Sequence, residues 1–138
     1  MRPRVLVVDD DPGMRAILRA FLMREGFEVA EEPSAERALA VLAIEQRPDV
    51  VILDNQMPGL KGLEALALVR RRWPELPVML ITAFGGPRVE EQARRLGAVS
   101  YIEKPFRVRE LIVQLKRFTE HRDSSGAGAP GPDSRAEG

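Results

Sequence analysis

Four stretches of this 138-residue chain end in side chains that could do chemistry together. Asp9, Asp10 and Asp11 follow the apolar run Val5-Leu6-Val7-Val8, and Asp54 follows Val50-Val51-Ile52-Leu53. Thr82 follows Val78-Met79-Leu80-Ile81, and Glu103 with Lys104 follows Val99-Ser100-Tyr101-Ile102. Carboxylates brought within 4 Å repel by about 4 kcal/mol per pair at an effective dielectric of 20. Lys104 alone does not offset that for Asp9, Asp10 and Asp54. A hard divalent cation does, and a site of few carboxylates without nitrogen or sulfur ligands suits Mg²⁺, which keeps several waters. On this chemistry Asp10 and Asp54 are direct carboxylate ligands and the Gln56 backbone carbonyl is a further candidate. Asp9 acts directly or through water. Asp11, just before Pro12, fits a helix N-cap better than a ligand.

These side chains meet only if the apolar runs lie side by side. The runs are continuous rather than alternating, which marks strands covered on both faces, as in a parallel sheet. Phe27–Ala30, after Gly26, is a shorter run of the same kind. Between the runs, Met14, Ile17, Leu18, Phe21 and Leu22 follow the stripe of an amphipathic helix. Ala35, Ala38, Leu39, Leu42 and Ala43 repeat it behind Ser34 as N-cap. Leu63, Leu66 and Val69 give a third helix, and Val89, Ala93 and Leu96 a weaker fourth ended by Gly97. Val108, Leu111, Ile112, Leu115 and Phe118 mark the last. Strand and helix alternate five times, and right-handed crossovers divide the helices between the two faces of one sheet. The expected fold is a five-stranded, doubly wound α/β domain. In such sheets ligands bind beyond the carboxyl ends of the strands, where the polar residues above are delivered.

Composition narrows the function. There is no cysteine, which excludes disulfide scaffolds, thiolate chemistry and cysteine-based zinc sites. The only histidine, His121, lies in a polar stretch. Lys+Arg and Asp+Glu each total 21, so no net charge draws the chain to nucleic acid or to an anionic membrane. The longest apolar run, Ala38–Ile44, falls far short of the roughly 20 residues of a membrane span. Asp9, Asp10 and Asp11 cut off the only early apolar run, so no signal peptide is visible. The expected compartment is the cytoplasm. Residues 119–138 hold no Val, Ile, Leu, Met or aromatic side chain, and Gly, Pro and Ser dominate. The expected organisation is a domain over 1–118 followed by a disordered tail or linker over 119–138.

Taken together, Val5-Leu6-Val7-Val8-Asp9-Asp10, Val51-Ile52-Leu53-Asp54 with Met57-Pro58-Gly59, Ile81-Thr82-Ala83 and Lys104-Pro105-Phe106 resemble the receiver domain of two-component response regulators. The likeness spans residues 4 to about 118, with every landmark in order. It implies the flavodoxin-like (βα)5 fold with strand order 2-1-3-4-5. It implies that Asp54 is the phosphoacceptor, taking a phosphoryl group from a phosphohistidine on a sensor histidine kinase or phosphotransfer protein. Asp9 and Asp10 resemble the acidic pair that holds Mg²⁺. Thr82 resembles the switch hydroxyl, Lys104 the lysine that contacts the phosphoryl group, and Tyr101 the aromatic switch residue that turns inward on activation. A cis peptide before Pro105 is implied as well. The output surface implied is the face made by the fourth helix, fifth strand and fifth helix, where a partner or a phosphorylation-dependent homodimer would form.

Other residues carry plainer readings. Arg70-Arg71-Arg72 falls in the last turn of a helix, where cations favour the negative end of the dipole. Trp73 before Pro74 reads as a helix-end anchor. Asn55, Gln56 and Phe84 flank Asp54 and Thr82 at variable positions of the family, and Asn55 is not read as a ligand. Gly85-Gly86 offers positive φ and loosens the loop before the fourth helix. A Mg²⁺-dependent phosphohydrolase with an aspartate nucleophile is the rival, but Asp54-Asn55-Gln56 lacks its second acid two residues on. A nucleotide or flavin binder is disfavoured because Asp9-Asp10-Asp11-Pro12-Gly13 lacks the glycine-rich phosphate fingerprint. Within the leading class, a stand-alone regulator, the receiver of a longer regulator and a phosphate-independent pseudo-receiver stay open.

Overall fold

The structure, a computed structural model, describes residues 2–44, 47–55 and 61–128, with side chains in the last helix through Thr119. The elements alternate as β1 (Arg4–Val8), α1 (Pro12–Arg24), β2 (Glu28–Glu32), α2 (Ala35–Ile44), β3 (Val50–Asp54), α3 (Gly62–Arg72), β4 (Val78–Thr82), α4 (Pro87–Arg95), β5 (Ser100–Glu103) and α5 (Val108–Gly128). All strand pairs are parallel, in the order β2-β1-β3-β4-β5. The order reverses between β1 and β3, which opens the crevice where this architecture binds ligands.

Period-two alternation along each buried strand builds two cores from one sequence run. Val5 and Val7, Val50 and Ile52, and Met79 and Ile81 pack with Leu18 and Leu22 of α1 and Leu111, Ile112 and Leu115 of α5. Leu6 and Val8, Val51 and Leu53, and Val78 and Leu80 pack on the other face with α2, α3 and α4. The continuous apolar runs are thus explained by cover on both sides. The runs themselves end one residue later than their apolar content, since Asp54 and Thr82 are the last residues of β3 and β4. Main-chain pairing therefore continues through both polar side chains.

The capping residues read from sequence take their places. The Asp11 side chain accepts from Gly13 N at 2.9 Å and Ser34 Oγ from Arg37 N at 3.2 Å. Trp73 is buried at the C-cap of α3 with the Arg72 guanidinium 4.7 Å over its ring, and Arg70 donates to Leu76 O. Two features differ from the sequence reading. The stripe of α1 is split: Leu18 and Leu22 are buried, whereas Ile17 and Phe21 stand 49% and 41% exposed. The last helix also runs past residue 118 to Gly128, with Thr119 buried and its hydroxyl donating to Leu115 O. Residues 129–138 of the expected tail lie outside the described residues. Among the described residues no helix is long and apolar enough to cross a membrane.

Candidate functional site

The carboxyl ends of β1, β3, β4 and β5 converge on one crevice. Asp9 follows β1 directly, and its N–H donates to Glu32 O, so the main chain stays tied to β2 for one more residue. Its carboxylate is fully buried. One oxygen accepts from Asp11 N at 2.9 Å and the other lies 3.3 Å from Lys104 Nζ. The Arg15 guanidinium donates to Asp9 O from the first turn of α1. The three consecutive aspartates thus divide their work: Asp9 points to the lysine, Asp10 is exposed at the crevice, and Asp11 caps α1.

Asp54 ends β3, is 2% exposed, and has a carboxylate oxygen 3.7 Å from Lys104 Nζ. Asp9, Asp10 and Asp54 each offer a carboxylate oxygen, and these oxygens lie within 4.8 Å of one another. Three negative charges therefore face one ammonium, which leaves the crevice short of positive charge by two. The donor set is oxygen throughout, which fits a hard cation such as Mg²⁺ and not a soft one. The Gln56 carbonyl, read as a further ligand, lies outside the described residues.

Lys104 is held from both ends. Its N–H donates to Thr82 O at 2.7 Å, and the Lys104–Pro105 peptide is cis, as the family resemblance implied. Thr82 is fully buried, and its Oγ1 accepts from Phe84 N at 3.1 Å. Beyond it the β4–α4 loop is pinned by β5. Gly86 N donates both to Tyr101 Oη at 3.2 Å and to Glu103 Oε2 at 2.9 Å, and Tyr101 Oη donates to the same Glu103 oxygen at 3.0 Å. Tyr101 is half-buried. Burial pushes its pKa above the ordinary tyrosine value, the Gly86 N–H draws it back, and the Glu103 carboxylate raises it again.

The glycine pair in that loop does two different jobs. Gly86 has φ 127° as the N-cap of α4, as its composition predicted. Gly85 has no positive φ. It is needed for space, because a Cβ there would run into Tyr101 Oη and come within 2.6 Å of Glu103 Oε2. Sequence reading missed this pinning, and it missed the role of Glu103. Only the fold brings residues 85 and 86 against 101 and 103. A cavity of about 460 Å³ opens beside Lys104, lined by Met14, Ile17, Ala83, Pro105 and Phe106 among others.

Comparison with known proteins agrees with this geometry. Residues 5–116 match the family described as response regulator receiver domain. The chain is 44% identical over 117 residues to the response regulator protein FleR of Pseudomonas aeruginosa, covering 85% of this chain and 24% of that one. It is 30% identical to sporulation initiation phosphotransferase F of Bacillus subtilis, covering 86% of this chain and 94% of that protein. The receiver domain of NtrX from Brucella abortus superimposes with a TM-score of 0.78 at 36% identity, covering 84% of this chain and 98% of that one. The chain spans about a quarter of the length of FleR and of the NtrX relatives it also matches.

Proposed function

The chain belongs to the response regulator receiver domain family, and from that membership we propose that Asp54 is its phosphoacceptor and that the site works with Mg²⁺. It is a signalling domain of the two-component type, and receivers of this family accept phosphoryl groups from histidine kinases or phosphotransfer proteins. One observation carries the assignment. Asp54 is a nearly buried carboxylate at the end of a central strand, grouped with two further carboxylates and 3.7 Å from an ammonium.

In the proposed reaction an Asp54 oxygen attacks the phosphorus of a partner's phosphohistidine. The P–O bond forms as the P–N bond breaks, and the bonding pair leaves with the imidazole nitrogen, which takes up a proton. Asp9, Asp10 and Asp54 would hold Mg²⁺, with the Gln56 carbonyl as a further ligand. When bound, the ion supplies positive charge against the carboxylates and the arriving phosphoryl oxygens. Lys104 contributes a second positive charge and a charge-assisted hydrogen bond. Thr82 Oγ1 already accepts from Phe84 N, which leaves its own proton free to donate to a phosphoryl oxygen. A shift of Thr82 toward that oxygen is transmitted through the loop to Tyr101, whose hydroxyl holds Gly86.

The same reading takes residues 1–118 as the receiver and the segment beyond as a tail or linker, and places the output surface on the α4-β5-α5 face. A phosphorylation-dependent homodimer or another partner would use that face, with no direct nucleic-acid or membrane contact by this domain. Its own chemistry extends to self-phosphorylation from small phosphodonors and to autodephosphorylation, in the cytoplasm. The test is intact mass after incubation with acetyl phosphate, with and without Mg²⁺. The wild type is expected to gain one phosphoryl group only with Mg²⁺, and D54N none. A gain by D54N equal to the wild type would refute the assignment of Asp54. No gain by either, with beryllofluoride also failing to bind, would point to a pseudo-receiver acting through its surfaces.

A further inference from the structure

We propose that Asn55 is a positioning residue for the acceptor carboxylate, acting by locking the first turn of α3 onto the peptide that follows Asp54; this rests on the reading of Asp54 given above. Asn55 is a polar residue only 6% exposed, directly after the end of β3. Its N–H donates to Ile81 O at 2.8 Å, which extends the bonding to β4 past Asp54. Its main-chain carbonyl accepts from Gly62 N at 3.3 Å, and its side-chain Oδ1 accepts from Leu63 N at 3.0 Å. Gly62 and Leu63 are the first two residues of α3. A helix start leaves four N–H groups without intrahelical partners, and here one residue outside the helix takes two of them.

The residue at the N-cap itself, Lys61, has no side-chain acceptor to offer, so Asn55 fills that role from across the loop. Gly62 permits the approach. A Cβ there would collide with Asn55 Cα and sit 2.8 Å from Asp54 O. The helix therefore rests on the Asp54–Asn55 peptide with no side chain between them. That peptide is gripped on one side by β4 and on the other by α3, and the Asp54 carboxylate projects from it into the crevice. An apolar residue at position 55 would fill the volume but leave Leu63 N–H unpaired. It would also leave the peptide held on one side only. A displacement of about 1 Å at a reacting group costs up to about 100-fold in rate.

The test compares N55A with E64A. Glu64 completes the other half of the α3 cap by accepting from Lys61 N at 3.1 Å, and it is exposed. Both variants weaken the same helix start, and only N55A frees the peptide after Asp54. Thermal midpoint, Mg²⁺ affinity by calorimetry, and phosphorylation kinetics with acetyl phosphate are measured on the full chain. For N55A the rate constant at saturating acetyl phosphate and Mg²⁺ is expected to fall at least tenfold, with the half-saturating donor concentration little changed. For E64A that rate constant stays within about twofold of wild type at a comparable loss of thermal midpoint. N55S keeps an acceptor oxygen one bond shorter and is expected to fall between N55A and wild type, and it carries the same comparison if N55A does not fold. An N55A or N55S rate constant no lower than that of E64A overturns the proposal. A wild type that gains no phosphoryl group removes the reading of Asp54, and this proposal with it.

Discussion

The crevice has two corners, built on opposite principles. In the acidic corner Asp9 and Asp54 continue strands that are buried on both faces, and main-chain bonds to β2 and β4 carry on through or past them. In the switch corner Thr82 is equally buried, yet the chain leaves β4 at once and Phe84, two residues on, is 71% exposed. There the backbone is held by side chains: Thr82 Oγ1 on Phe84 N, and Tyr101 with Glu103 on Gly86 N. The difference separates tasks. Groups that hold charge are fixed by sheet, and groups that report charge are fixed by a few bonds that can be exchanged.

The comparison is broken most severely at Gly85. In G85A the new methyl group overlaps Tyr101 Oη and crowds Glu103, so both must leave Gly86 N. A loss of about 1–3 kcal/mol in unfolding free energy is expected, as for other overpacked sites. Tyr101 is the only tyrosine in the chain, so its titration can be followed alone by absorbance at 295 nm. In the wild type it titrates above the ordinary tyrosine value, because burial disfavours the phenolate. The folded-state pKa is raised, so this contribution to stability is full below the ordinary value and is lost as pH rises through the folded one. In G85A the titration is expected to move back toward the ordinary value, while Mg²⁺ binding in the acidic corner stays unchanged. A loss of Mg²⁺ affinity in G85A would show that the corners are not separate.

The acidic corner gives the next largest effect, of opposite sign. D10N removes one of three clustered carboxylates at an exposed position. Without metal it is expected to be more stable than wild type by up to about 1 kcal/mol, since repulsion is relieved and solvent screens the rest. The rise in thermal midpoint that Mg²⁺ gives the wild type should largely vanish. Thermal melts in EDTA and in Mg²⁺ read both quantities, and a D10N protein less stable in EDTA would contradict the electrostatic account.

The smallest effect comes from outside both corners. Glu25, at the end of α1, pairs with Lys116 of α5 at 2.8 Å. The hydrogen bond from Lys116, and then its charge, lower the Glu25 pKa below 4.5. A depressed carboxylate pKa means that this contribution is present above the unfolded value and is lost as pH falls through the folded one. The pair is exposed, so only a slight acid-side weakening of the wild type relative to E25Q is expected. Urea midpoints between about pH 6 and about pH 3 check it.

How much of this was legible in the sequence follows from what is local. The runs at 5–8, 50–53 and 78–81 disclose doubly covered strands because burial on both faces demands an apolar residue at each position. The acidic cluster was legible once the runs were taken as parallel, since every strand then delivers its next residue to one edge. The split of the α1 stripe was not, because Ile17 and Phe21 fit the period and only the position of α5 decides their exposure. Nor were the roles of Gly85, Glu103 and Asn55. Each depends on a contact between main-chain atoms of one loop and a side chain from another element, at distances that no spacing in the sequence encodes.

The claim on which all of this rests is that the acidic corner delivers a phosphoryl group to Asp54 and to no other carboxylate. Borohydride reduction after Mg²⁺ and acetyl phosphate treatment converts an aspartyl phosphate to homoserine, and peptide mass spectrometry then reads its position. The account predicts homoserine at residue 54 alone, and none when Mg²⁺ is withheld. Homoserine at position 9 or 10, or at position 54 without Mg²⁺, would contradict it.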